Sequence, residues 1–311
     1  MDQEFWQYLD RLVAASQVAI DRPRGSSHPN YPDLIYPLDY GYLQGTTAID
    51  GGGLDVFIGA QADRSLDALA LTVDLHKRDA EIKLLLGCDE TEKQVVLDFL
   101  NGASMRACLV RRDAGHWLLR SRRSVRRFQP RPIPQDVVRH ILETATWAPS
   151  AHHRQPWRFA ILSSFLVRDR LAHALGEAFR RDLSADGMQP EEVEAQVARS
   201  RQRIQQAPLA VLLCLDLAAG DVYPDAARQQ SEHWMGVQSV ALAGGQLLLA
   251  AWAEGLGGVW MCAPLFAPQA ASQALGLPGN WQPQALILLG YPAKIPDPRP
   301  RRPLEEVALF F

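Results

Sequence analysis

Hydrophobic positions along this chain change their spacing near residue 115. The first twelve residues, MDQEFWQYLDRL, alternate apolar and polar groups at helical spacing. Short apolar runs at 54–58, 69–73 and 82–86 follow, bounded by the turn-forming stretches HPNYP, LDYGYLQG and DGGG, and these predict β-strands. Residues 91–100 return to helical spacing, with Val95, Val96 and Phe99 on one side. Beyond residue 115 the periods lengthen. Residues 136–147 put Val137, Val138, Ile141, Leu142 and Ala145 on one helical face. Residues 168–183 and 190–206 predict two more helices, the second with proline in its first turn. Between the helices, 157–162, 209–215 and 284–289 read as strands, the last two as continuous apolar runs buried on both faces. Residues 235–254 predict a long buried helix whose Gly236, Ala243, Gly244 and Ala250 permit close helix contact.

This pattern predicts an α+β chain of two domains, 1–113 and 114–311, a division that 311 residues accommodate. Charge narrows the partners. With 32 basic against 35 acidic residues the net charge is −3, which excludes a global attraction to nucleic acid or anionic membrane. Only four of the basic residues are lysine, so phosphate recognition falls to the bidentate arginine fork. Four scattered cysteines with no C-x-x-C pair indicate neither a zinc site nor a disulfide framework, and reduced thiols in a cytoplasm are expected. The N-terminus does not have the pattern of a secretory leader.

Four segments of the second domain carry candidate chemistry. In Arg122-Arg123-Ser124-Val125-Arg126, extended backbone would turn Arg122, Ser124 and Arg126 toward one phosphate; a solvated basic linker is the other reading. In APSAHHRQPW, from 148 to 157, a helix ends at proline and a polar loop leads into a strand. In EGLGGVW, from 254 to 260, Gly257 and Gly258 either stop the long helix or let backbone approach a flat ring. The fourth is the tail RPRRP, which holds Arg299, Arg301 and Arg302.

In this order the four segments resemble the nitroreductase superfamily over about 190 residues. The resemblance implies a mixed sheet flanked by helices and an FMN site formed by Arg122, Arg123, Ser124, Val125, Arg126, Ser150, Gln155, Gly257, Gly258 and the tail arginines. It implies a homodimer with FMN at the interface, NAD(P)H as co-substrate, and hydride transfer to a conjugated small molecule. No side chain stands out as nucleophile or base, so no catalytic residue is assigned. The segment from 165 to 230 further resembles the reductase domain of the coenzyme F-420 γ-glutamyl ligase, which implies a dehydro precursor of that coenzyme as acceptor and Asp182 as a substrate contact. The alternatives are a broad nitro or quinone reductase and a non-catalytic flavin-binding module.

The first domain is similar to family I inorganic pyrophosphatase through YPLDYGY at 36–42 and DGGGLD at 50–55. That resemblance implies a small β-barrel. Asp50 and Asp55 are its candidate metal ligands, and Mg2+ is expected only if the site functions. Gly52 stands where the family has its middle aspartate, so the domain reads as degenerate, with Asp21, Glu81 and Lys83 matching further acidic and basic positions.

Overall fold

A computed structural model of the chain describes residues 3–29, 31–48, 51–102 and 104–311. Contact density divides the chain into two compact units, Met1–Trp117 and Leu118–Phe311. In the first, α1 (Gln3–Ala14) and β1 (Val18–Arg22) precede a ribbon of β2 (Ser27–His28) and β3 (Tyr31–Ile35). There follow β4 (Asp39–Leu43), β5 (Leu54–Ile58), β6 (Leu66–Asp74), β7 (Asp79–Leu86), α2 (Glu90–Leu100) and β8 (Met105–Arg111).

Six of these strands form one sheet in the order β1-β4-β5-β7-β6-β8, antiparallel except where β5 meets β7. The expected closed barrel is therefore replaced by a sheet whose end strands, β1 and β8, do not pair among the described residues. Helices bury both faces, so closure is not needed to hide either one. Helix α1 lays Trp6, Leu9 and Val13 over Leu43, Val56, Leu69 and Leu84. Helix α2 lays Val96, Phe99 and Leu100 over Tyr40, Phe57, Ala70 and Leu85. A capping box between Asp89 and Glu92 starts α2. Val95, expected on its buried side, is 40% exposed, because the packed stripe runs through Val96 and Leu100, four residues apart.

Helix α3 (Ala114–Ser121) spans the division between the units. The second unit continues with α4 (Gln135–Ala145), β9 (Trp157–Leu162), α5 (Phe165–Ala185), α6 (Pro190–Gln206), β10 (Leu209–Asp216) and α7 (Ala226–Ala253). It ends with β11 (Gly257–Met261), α8 (Ala263–Phe266), α9 (Pro268–Leu275) and β12 (Trp281–Gly290) before an extended tail. The strand order is β11-β12-β10-β9, all antiparallel, and the parallel element of the sheet is a bridge from Ser124 to Gly258 at the β11 edge.

The unbroken apolar run of β10 has a direct cause. Val211, Leu213 and Leu215 pack toward α4 and α7, while Ala210, Leu212 and Cys214 pack toward α5, α6 and α9. Each of the valine and leucine side chains contributes about 1.5–3 kcal/mol when fully buried.

Helix α7 begins well before the apolar pattern, at an Asp225 cap that accepts from the Arg228 amide. It is long and apolar enough by composition to cross a bilayer, yet its Val240, Ala243, Leu247 and Ala251 are buried in the core. Gly236 and Gly244, expected to bring another helix close, bring the sheet close instead. A Cβ at Gly244 would lie 2.4 Å from Trp260 and 2.5 Å from Leu213, and one at Gly236 would lie 2.9 Å from Leu215.

Candidate functional site

The basic segment and the glycine segment meet side by side. The Val125 amide donates to the Gly258 carbonyl at 3.0 Å, and Ser124 bridges Gly258. Val125 is fully buried, so Arg122, Ser124 and Arg126 turn away from the core, in keeping with an extended backbone. Protein packs closely against both glycines. Space beside Gly257 is filled by Val125, 2.6 Å from where a Cβ would stand, and space beside Gly258 by Leu248 and Leu289. Trp252 of α7 donates its indole N–H to the Ser121 hydroxyl at 2.8 Å, which fixes the start of the basic segment.

One tail arginine reaches this segment. Burial, then the charges of Arg301 and Arg123, lower the pKa of the Arg122 guanidinium. The hydrogen bonds of these residues go to backbone carbonyls: Arg123 to Arg120 and Arg122, Arg126 to Ser124, Arg301 to Arg299. No carboxylate pairs with Arg122, Arg123 or Arg301 among the described residues. Three guanidiniums gathered without a counter-charge are a donor set suited to a phosphate dianion. Arg299, Arg301 and Arg302 are all exposed along the tail.

Two recesses flank the segment. Arg126, Arg203 and Trp260 through Ala263 line one of about 240 Å³. Ser124, Arg126, Arg127, Lys294 and Asp297 line another of about 320 Å³. Arg203, in the last turn of α6, and Lys294, two residues past the Tyr291-Pro292 pair, were not singled out from the sequence. Their only signal there was a basic residue at a helix end and one of four lysines in an arginine-rich chain. Asp182 lines a third recess of about 380 Å³ with Leu175, Phe179, Leu183 and Phe266, and Ala263 belongs to this recess and to the first.

The loop that carries Ser150 and Gln155 is anchored on α7. Three of its residues, His152, His153 and Gln155, hold φ near +50°, a left-handed conformation that costs non-glycine residues of order 1 kcal/mol or more each. The Ser150 hydroxyl accepts from the Gln155 amide at 3.1 Å, and the Ala151 amide donates to Ser239 Oγ on α7 at 3.2 Å. Ser239 and Trp252 are thirteen residues apart on this one helix, about 20 Å at 1.5 Å per residue. The loop and the start of the basic segment are thus anchored at two separate points of α7.

In the N-terminal unit Asp55 is already paired. Lys83 is buried between Asp55 and Glu81, 2.6 Å from the latter, and donates to Tyr40 at 3.3 Å. Burial pulls the Lys83 pKa down, but Asp55 and Glu81 more than offset this and the net shift is upward. Arg22 lies over the Tyr36 and Tyr40 rings. The lysine pairs with Asp55, one of the two expected cation ligands, and with Glu81, and no metal-holding cluster occurs among the described residues. Asp50, the other expected ligand, falls outside them.

A family model described as the nitroreductase family matches residues 119–291. An NADH dehydrogenase of Thermus thermophilus is 34% identical over 210 residues, covering 61% of this chain and 92% of that protein. A 5,6-dimethylbenzimidazole synthase of Rhodospirillum rubrum is 32% identical, covering 58% of this chain and 83% of its own. Among solved structures, Bacillus megaterium NfrA2 has a TM-score of 0.51 at 18% identity, covering 63% of this chain and 74% of that one. The NADPH:FMN oxidoreductase of Vibrio harveyi has a TM-score of 0.50 at 22% identity, covering 62% and 75%. These two structures share the fold.

Proposed function

Since this chain belongs to the nitroreductase family, we propose that its C-terminal part, residues 114–311, is an FMN-dependent oxidoreductase that passes hydride from NAD(P)H to a conjugated small molecule. The observation that carries this reading is the basic segment held against the β11 edge by the Ser124–Gly258 bridge, with no carboxylate pairing Arg122, Arg123 or Arg301 among the described residues. A flavin bound there supplies the hydride chemistry, which is why the chain needs no nucleophile or base of its own. Arg122, Arg123 and Arg301 hold the phosphate, with Ser124 and Arg126 beside it and Arg299 and Arg302 as outer contacts. The Val125 and Gly257–Gly258 packing keeps that cradle rigid.

Ser150 and Gln155 complete the site from a second copy. It is supported by the roughly 20 Å along α7 between Ser239, which holds their loop, and Trp252, which holds Ser121 at the start of the basic segment. An exposed apolar tail (Leu304, Val307, Leu309, Phe310) and an apolar groove beside edge strand β9, lined by Ile133, Val138, Leu142, Phe159 and Ile161, supply complementary surface for a homodimer. Co-assembly tests it: Arg122→Ala and Gln155→Ala chains, each poor in flavin alone, should recover one intact site when mixed as a heterodimer.

For the acceptor, the narrower reading is a dehydro precursor of coenzyme F-420, supported by Asp182 in a recess that shares Ala263 with the arginine-lined one. The mainly apolar lining of that recess favours instead a broad nitro or quinone reductase. Cytoplasm is the proposed compartment, as all four cysteines are free thiols. For residues 1–113 we propose a pyrophosphatase-related domain that has exchanged its metal site for the Asp55–Lys83–Glu81 ion cluster.

An absorbance spectrum of the purified protein, followed by anaerobic titration with NADH and NADPH, tests the function. Bound flavin that is bleached by a nicotinamide and restored by an acceptor is the expected result. A protein that takes up no FMN overturns it.

A further inference from the structure

The strained loop at 150–155 is tied down by side chains that the flavin reading does not use. Arg154 donates to Asp221 Oδ1 at 2.5 Å. The Asp221 amide in turn donates to Glu232 Oε1 at 3.1 Å, and Glu232 stands on α7. Glu232 is 7% exposed, and its Oε2 is buried with no hydrogen-bond partner. A buried carboxylate with one unsatisfied oxygen is costly, so a compensating role is expected of it. Gly220 lets the turn before Asp221 press onto it, since a Cβ there would lie 3.2 Å from the Glu232 side chain. Arg154, Gly220, Glu232 and Ser239 line one small cavity beneath the loop.

We propose that Asp221 and Glu232 are positioning residues, a strap that acts through Arg154 to hold His152, His153 and Gln155 in their left-handed conformations and so presents Ser150 and Gln155 to the flavin. This rests on the flavin reading above. Glu232 anchors the Asp221 backbone to the helix. Asp221 then stands where its carboxylate meets Arg154. Without the strap, the three left-handed residues relax toward ordinary backbone and the two polar side chains leave their places.

The geometry separates positioning from plain stability. Arg154 and Asp221 are each 44% exposed, and an exposed ion pair adds little to folding. Asp221→Asn should therefore weaken FMN binding about tenfold, read by fluorescence titration of the apo-protein, while the Tm stays where it was. The charge-reversed pair Arg154→Glu with Asp221→Arg should recover most of the loss that either change causes alone. Glu232→Gln keeps an acceptor for the Asp221 amide and should retain affinity that Glu232→Leu loses. Hydrogen exchange at the 151–155 amides, measured without flavin, should speed up in Asp221→Asn.

Unchanged FMN affinity and unchanged exchange in Asp221→Asn would overturn the strap. So would affinity and Tm falling together with no recovery in the reversed pair. If the wild-type protein takes up no FMN but exchange still accelerates in Asp221→Asn, the flavin reading fails while the strap on the loop stands.

Discussion

Ser124 and Gly258 meet as a parallel β-bridge, and the neighbouring Val125 fills the space that a side chain at Gly257 would occupy. One contact thus ties the basic segment to the sheet edge. Gly257→Val should overpack this joint and cost about 1–3 kcal/mol. Urea denaturation followed by intrinsic fluorescence checks the stability, and flavin content after purification should fall with it.

Removing single arginines probes the anion site. Arg122→Ala and Arg301→Ala each delete a hydrogen bond from a charged group, roughly 1.5–3 kcal/mol, or about 10–100-fold in FMN affinity. Arg122→Lys should recover only part of this, because an ammonium lacks the planar fork. Equilibrium dialysis against FMN measures it. Full affinity in Arg301→Ala would remove the tail from the site.

The core of the second unit predicts a large stability change from one substitution. Leu213 is fully buried between β12, α4 and α7. Leu213→Ala should cost about 2–5 kcal/mol. Val222→Ala, on a loop and 91% exposed, should stay within about 0.5 kcal/mol. Thermal unfolding of the two variants side by side gives the contrast.

Cysteine reactivity should divide by burial. Burial pushes the Cys88 and Cys214 thiols up to about 12, whereas Cys108 and Cys262 are exposed. A thiol reagent at pH 8 should label two cysteines in the native protein and four after denaturation. The folded-state pKa values of Cys88 and Cys214 lie above the unfolded value. Their contribution to stability is therefore intact below about pH 9 and is lost as pH rises from there toward about 12. Denaturation midpoints across that range test the sign.

In the first unit, Lys83→Met would leave Asp55 and Glu81 facing each other without their cation. The expected cost is about 3 kcal/mol at neutral pH. Urea denaturation of the variant beside the wild-type protein measures it.

Much of the second unit is legible from residue order because its elements are amphipathic and locally consistent. The helix over 190–206 and the strand over 157–162 have the bounds expected of them, since a proline start and a polar loop mark their ends. The start of α7 is not legible, because residues 226–234 are polar and only the Asp225 cap reveals it. Strand β11 was hidden for a similar reason. Its two glycines carry no strand propensity, and only Val125, Leu248 and Leu289 explain them.

Sequence order alone determines which residues of this protein are apolar, where elements such as the helix over 190–206 and the strand over 157–162 run, and that arginines dominate one junction and the tail. Those properties belong to single segments and their spacing. Tertiary structure decides that the charge of Arg301 acts on Arg122, that Lys83 neutralises Asp55, that the first sheet stays open, and that Ser239 of α7 anchors the 150–155 loop. Each of these depends on contacts between residues distant along the chain, and no local period encodes which distant charges or faces will meet.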